Sequence, residues 1–185
     1  GGDLFNSAAL LRPDGTRELY RKIHLFGMEN LFFAPGDIPF AVHDYAGVKL
    51  GMMICFDWFF PESMRVLALK GAQIVCHPVN FVLPWGPSAM VIRSLENHVF
   101  AVTANRYGSE TNRGITLSFI GKSRIVSPRG EVLGEAPDEG DSVVVAEIDP
   151  GEASTKKLNK YNDLFVQRRD RKSTRLNSSH GKLSR

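Results

Sequence analysis

The sequence predicts an α/β fold built around a mixed sheet, and three observations carry that expectation. Leu50 to Ile54, Gln73 to Val79 and Phe100 to Asn105 are nearly continuous apolar runs. Two helical patterns lie between them, Pro61 to Lys70 and Ser88 to Val99, and such alternation indicates parallel strands with helices packed outside. Beyond Asn105 the pattern changes to short runs split by Gly and Pro, which suits an antiparallel edge.

With 185 residues and 43% hydrophobic content, the chain is expected to form one domain over residues 1–172. The formal charge of +3 is misleading, because Arg168, Arg169, Arg171, Lys172, Arg175, Lys182 and Arg185 supply 7 of the 23 basic residues. The body is therefore near neutral or acidic, and nucleic-acid binding has little support. No run of about 18 apolar residues suggests a membrane span, and no signal peptide opens the chain, so the expectation is a cytoplasmic protein. In a reducing compartment Cys55 and Cys76 are expected to stay free.

Taken in order, the chain enters an apolar run with no start signal before it, which reads as a cut end. A hairpin follows, Phe5 to Leu11 against Glu18 to Tyr20, turning at Pro13-Asp14-Gly15. A long loop then runs through Glu29, Phe32, Phe33 and Pro35-Gly36-Asp37, and long structured loops are often functional. Strands are expected over Phe40 to Asp44 and Lys49 to Cys55, with a turn at Ala46-Gly47. The first helix starts at Pro61 and stops before Gly71. Gln73 to Val79 is a strand interrupted by Pro78, and the second helix sets Met90, Ile92, Leu95 and Val99 on one side. The segments Gly121 to Gly130, Glu131 to Glu135 and Ser142 to Ile148 read as short strands, and Gly151 to Leu158 as a short helix. Residues 173–185 have no apolar period and read as a disordered, non-native tail, which also discounts the glycosylation sequon at Asn177.

The chemistry centres on Cys55. An apolar strand stops there and a helix begins six residues later at Pro61, so the thiol stands at a strand-turn-helix edge where free backbone N–H groups meet negative charge. Position alone divides evenly between a buried small hydrophobe and a nucleophile. Separately, Lys22 reads as a solvated lysine, Glu29 as an exposed loop acid, and Phe32 and Phe33 as core. Arg93, Glu96 and Asn97 share one helix face, either as a paired network or a solvated surface. No residues show metal-ligand spacing, no Gly-rich phosphate loop is present, and no cofactor is expected.

Taken together, Tyr20-Arg-Lys22-Ile-His-Leu-Phe26, Glu29, Pro35-Gly36-Asp37, Cys55-Phe-Asp-Trp-Phe-Phe-Pro-Glu62, His77-Pro-Val-Asn80, Arg93-Ser-Leu-Glu96-Asn97, Asn105-Arg106 and Gly121-Lys-Ser123 resemble the nitrilase, or carbon-nitrogen hydrolase, superfamily. The resemblance runs from about Asn6 to Arg171. It implies a mixed-sheet α-β-β-α sandwich that forms a homodimer or higher homo-oligomer. It also implies a Glu-Lys-Cys catalytic set acting on a small amide, N-carbamoyl or nitrile substrate. Cys55 matches the nucleophile, and Lys22 the oxyanion donor beside the backbone N–H of Phe56. Glu29 matches the glutamate that orients the lysine and incoming water. Trp58, Phe59 and Asn80 are expected to line the pocket.

One departure from the family pattern stands out. The family's general-base glutamate belongs upstream of the segment matching Asn6, where this chain has no counterpart, and Glu18 is on the wrong side of the turn to replace it. The resemblance thus implies a piece lacking its amino-terminal strands and helices, with little activity by itself. Nitrilases proper carry Trp-Glu after the cysteine, whereas Phe56-Asp57 and the ending Trp-Phe-Phe-Pro-Glu point to amide or carbamoyl substrates. Two other readings remain: a Cys55-His77 acyl hydrolase, with Pro78 counting against a freely oriented imidazole, and a catalytically silent interaction module.

Overall fold

The computed structural model describes residues 2–169. The proposed tail, the sequon at Asn177 and the end of the expected domain at 172 lie outside them. Two compact units are present, one ending at Thr155 and a second starting at Lys156. In the second unit the polar chain satisfies its own backbone locally. Asn159 Oδ1 accepts the Tyr161 and Asn162 N–H groups, and Asp163 Oδ1 accepts those of Phe165 and Val166.

In the first unit, β1 (Ser7–Leu11) and β2 (Arg17–Arg21) form the expected antiparallel hairpin. Asp14 holds its turn by accepting the Thr16 N–H and hydroxyl. β3 (Val42–Tyr45), β4 (Val48–Met52), β5 (Ile74–Val79), β6 (Phe100–Asn105), β9 (Arg124–Val126) and β10 (Val132–Glu135) make one six-stranded sheet in the order β10-β9-β6-β5-β4-β3. The central β4, β5 and β6 are parallel and the flanking pairs antiparallel, which gives the predicted mixed sheet.

Helix α1 (Pro61–Leu69) joins β4 to β5, and α2 (Gly86–Asn97) joins β5 to β6. Right-handed crossovers that advance in one direction along a sheet put both helices on one face. Gly51 on β4 supplies the close approach: a Cβ there would stand 3.0 Å from the Leu67 side chain of α1. Val75, His77, Ala101 and Thr103 are buried in the sheet, while Met64, Leu67, Ala68 and Met90 are buried in the helices.

Four local expectations need correction. Pro78 does not interrupt β5, because β4 ends opposite Cys76 and position 78 lies past the ladder on that side, where a missing N–H costs little. The inward side of α2 is Met90, Ser94 and Asn97, whereas Ile92 and Leu95 are exposed. Ser142 to Ile148 belongs to no strand among the described residues, and Val143 and Val145 are 88% and 84% exposed. The helix expected from Gly151 is a single 3-10 turn, Pro150–Ala153, begun by Asp149, whose side chain accepts the Gly151 N–H.

A further hairpin, β7 (Tyr107–Asn112) and β8 (Ile115–Ile120), was not expected. It turns through Arg113 and Gly114, both at positive φ. Nearly all of it is exposed, although Ile115, Leu117 and Phe119 alternate with Thr116 and Ser118 along β8. No helix of the described residues is long and apolar enough to cross a membrane.

Candidate active site

Cys55 follows β4 and opens a short 3-10 helix, Cys55–Phe59, with a φ of +40°. That backbone region is uncommon for a residue with a Cβ. The turn is held from beneath by Asp57, which is fully buried and accepts the Ile54 N–H at 2.8 Å. It is held from the side by His77, whose Nε2–H donates to the Cys55 carbonyl at 3.0 Å. His77 Nδ1 faces the Thr103 hydroxyl at 3.3 Å. Burial pushes the His77 pKa down to about 4, against a smaller upward pull from the Cys55 carbonyl, so the ring is neutral near pH 7.

The Cys55 thiol points toward the Asn80 carbonyl, 3.9 Å away. Burial raises its pKa most strongly. A backbone hydrogen bond at Asn80, the Lys22 charge and the Phe56 N–H pull it down, and Glu29 pushes it up. The group is therefore a thiol at neutral pH, with a cation and a backbone N–H placed to favour negative charge when it appears.

Lys22 is 1% exposed and donates to Glu29 Oε2 at 2.5 Å. Glu29 lies in a 3-10 helix, Gly27–Leu31, inside the long loop. Its Oε2 also accepts the Phe26 N–H at 2.7 Å, and Oε1 accepts the Asn6 amide at 3.0 Å. Main-chain bonds from Lys22 to Asn6 and from Gly36 to Lys22, both 2.8 Å, fix the lysine's own segment. A buried ammonium with one carboxylate partner and a bias on a neighbouring thiol is unlike the solvated lysine that sequence statistics favour.

A small cleft opens at Cys55, lined by Phe26, Phe56, Trp58, Asn80, Phe81 and Leu83 among others. Trp58 and Asn80, the expected lining residues, are both in its wall. Phe59 does not line the cleft; it is half-exposed and packs edge-on against Trp58 at 5.0 Å. Phe26, Phe81 and Leu83 were not singled out from the sequence. Asn105 sets Phe81 in place by accepting its N–H at 2.9 Å and donating to the Gly121 carbonyl. Arg93 pairs with Glu96 at 3.0 Å and donates to the Trp58 carbonyl at 3.2 Å, while Asn97 bonds to the Arg93 carbonyl. This helix face is the paired network, and it braces one wall of the cleft.

The chemistry open to this arrangement is acyl transfer to sulfur, with Lys22 and the Phe56 N–H beside the developing charge. A Cys-His pair is disfavoured, since both His77 ring nitrogens are engaged away from the thiol. Cys55 and Cys76 are both free. Among the described residues, no group of three or more His, Cys, Asp or Glu is arranged to hold a metal ion.

The family model for carbon-nitrogen hydrolases matches residues 1–157. The chain belongs to the carbon-nitrogen hydrolase family. A nitrilase from Pyrococcus abyssi is 54% identical over 170 residues, 92% of this chain and 63% of that protein. An (R)-stereoselective amidase from a Pseudomonas species is 40% identical, over 80% of this chain and 54% of the relative. Among solved structures, a mutant of the amidase from Nesterenkonia sp. AN1 carries the acetamide moiety of fluoroacetamide covalently added at its active-site cysteine. It is 28% identical, with a TM-score of 0.76 over 91% of this chain and 60% of that one. A carbon-nitrogen hydrolase from Helicobacter pylori G27 is 30% identical, with a TM-score of 0.74 over 80% and 57%. These likenesses establish the mixed-sheet α/β fold of the family. The chain spans less than two thirds of the length of each of these relatives.

Proposed function

We propose that the intact protein is a hydrolase of small amides or N-carbamoyl compounds that works through a covalent Cys55 thioester. The observation that carries this reading is the buried Lys22–Glu29 pair acting on the Cys55 thiol. Sγ adds to the carbonyl carbon while its proton passes to a general base. The oxyanion is met by the Lys22 ammonium and the Phe56 N–H, and the C–N bond breaks as the amine takes the proton. Water, oriented by Glu29, then cleaves the thioester.

The base is the open position. Glu29 is the one carboxylate among the described residues whose charge acts on the thiol, and its two oxygens already serve Lys22, Phe26 and Asn6. The family resemblance assigns the base to a glutamate ahead of Asn6, so residues 1–185 alone are inactive or nearly so in this reading. The Phe56-Asp57 pair and the ending Trp58-Phe-Phe-Pro-Glu62 favour amides and carbamoyl compounds. The similarity to a nitrilase makes nitriles the second substrate class to test. Homo-oligomeric assembly accompanies the proposal, and sedimentation of the intact protein reports it.

The test is Cys55→Ala in the intact protein, assayed on matched amide, carbamoyl and nitrile substrates. Loss of turnover and of the acyl mass adduct is expected. Turnover that survives the substitution refutes the nucleophile, and robust Cys55-dependent turnover by residues 1–185 alone refutes the external base.

A further inference from the structure

Asp57 does not line the cleft, yet its two oxygens collect four hydrogen bonds from two separate segments. From the cysteine turn comes the Ile54 N–H, on Oδ2 at 2.8 Å. From the segment carrying Lys22 come the Tyr20 hydroxyl, on Oδ2 at 2.7 Å, and both the N–H and the Nδ1 of His24, on Oδ1 at 3.2 and 2.8 Å. Tyr20 and His24 stand two residues before and two residues after Lys22. The Tyr20 oxygen also accepts the Ile23 N–H at 3.3 Å, which draws the stretch between them inward. His24 stacks on Phe60 at 3.8 Å, on the far side of the same turn.

Four donors converging on one side chain require a carboxylate. An amide has a single acceptor oxygen and would turn its NH₂ toward two of the donors. A carboxylate buried without these partners would be strongly disfavoured. The same group that holds the positive-φ turn at Cys55 therefore grips the chain on both sides of Lys22.

We propose that Asp57 is a positioning residue that clasps the Lys22 segment to the cysteine turn and so sets where the ammonium stands relative to Sγ. This rests on the reading of Cys55 as nucleophile and Lys22 as oxyanion donor. A long lysine side chain is placed only as well as its backbone is. A displacement near 1 Å at a catalytic group costs about 100-fold in rate.

The experiment uses the intact protein with Asp57→Asn and Tyr20→Phe. It reads kcat and KM on an amide substrate, together with the pH profile of Cys55 alkylation by iodoacetamide followed by peptide mass. In both variants kcat is expected to fall, about 10- to 100-fold in Asp57→Asn and less in Tyr20→Phe, with KM within about twofold. The alkylation midpoint is expected to move to higher pH as Lys22 loses its hold beside the thiol. Folded variants with the parental kcat and an unmoved midpoint overturn the proposal. Should Asp57→Asn fail to fold, Tyr20→Phe keeps the carboxylate and three donors and decides by the same two readouts. Failure of the active-site reading is seen separately, as turnover surviving Cys55→Ala, because the alkylation midpoint reports the Cys55–Lys22 relation without any turnover.

Discussion

His77 donates its Nε2–H to the main-chain carbonyl of Cys55 across 3.0 Å, so the imidazole supports the turn and leaves the thiol to other partners. Its pKa, lowered by burial to about 4 from an ordinary 6.5, ties stability to acid. Below pH 6.5 the unfolded chain takes up a proton that the folded ring refuses. The stabilisation is therefore complete above pH 6.5 and is lost as pH falls toward 4, on the order of 3 kcal/mol in all. His77→Gln keeps an N–H donor without titrating, and its urea midpoint is expected to change less between pH 7 and 4.5. Equal slopes in the two proteins would rule this out.

Glu29→Gln removes the counter-charge of a buried ammonium while leaving the shape. Part of the usual cost of breaking such a pair is relieved because Glu29 is partly exposed, and a loss of about 1–3 kcal/mol is expected by chemical denaturation. Turnover should fall by at least about 100-fold. A stable variant with normal turnover would remove Glu29 from the catalytic set.

Alkylation should distinguish the two thiols. Both are shifted upward by burial, but only Cys55 has Lys22 and the Phe56 N–H pulling the other way. Iodoacetamide at pH 8 is expected to label Cys55 first in the folded protein. Faster labelling of Cys76 would contradict the electrostatics described above.

The cleft wall gives another prediction. A Cβ on Gly86 would stand 2.5 Å from the Phe81 ring, so Gly86→Ala must displace a residue that lines the cleft. A several-fold rise in KM is expected, steeper for bulkier acyl groups, with about 1–3 kcal/mol lost from overpacking. Kinetics across acyl groups of increasing size test it, and a flat KM series would refute it.

The sheet was legible because β4, β5 and β6 are buried strands whose apolar runs leave few alternatives, with Pro61 and Gly71 bracketing α1. The Lys22, Glu29 and Cys55 positions were found only as a pattern, since each residue alone has a commoner explanation. Asp57 could not be read: three of its four donor groups come from residues 33 and 37 positions away, and no local rule foretells which side chains converge on a buried carboxylate. The inward side of α2 was read correctly at Met90 but misread at Ile92 and Leu95, to which hydrophobicity pointed, whereas packing chose Ser94 and Asn97. The Tyr107–Ile120 hairpin was missed although Ile115, Leu117 and Phe119 alternate with Thr116 and Ser118 and Arg113-Gly114 marks its turn; Tyr107–Asn112, its other strand, is too polar to show the pattern.

The +40° φ at Cys55 sets two selections against each other. A non-glycine residue held there costs roughly 1–3 kcal/mol, and glycine or asparagine would be more comfortable. Variants of position 55 selected for folding alone should therefore drift to those residues and melt higher than the parent. Variants selected for turnover should return to cysteine and accept the lower melting point.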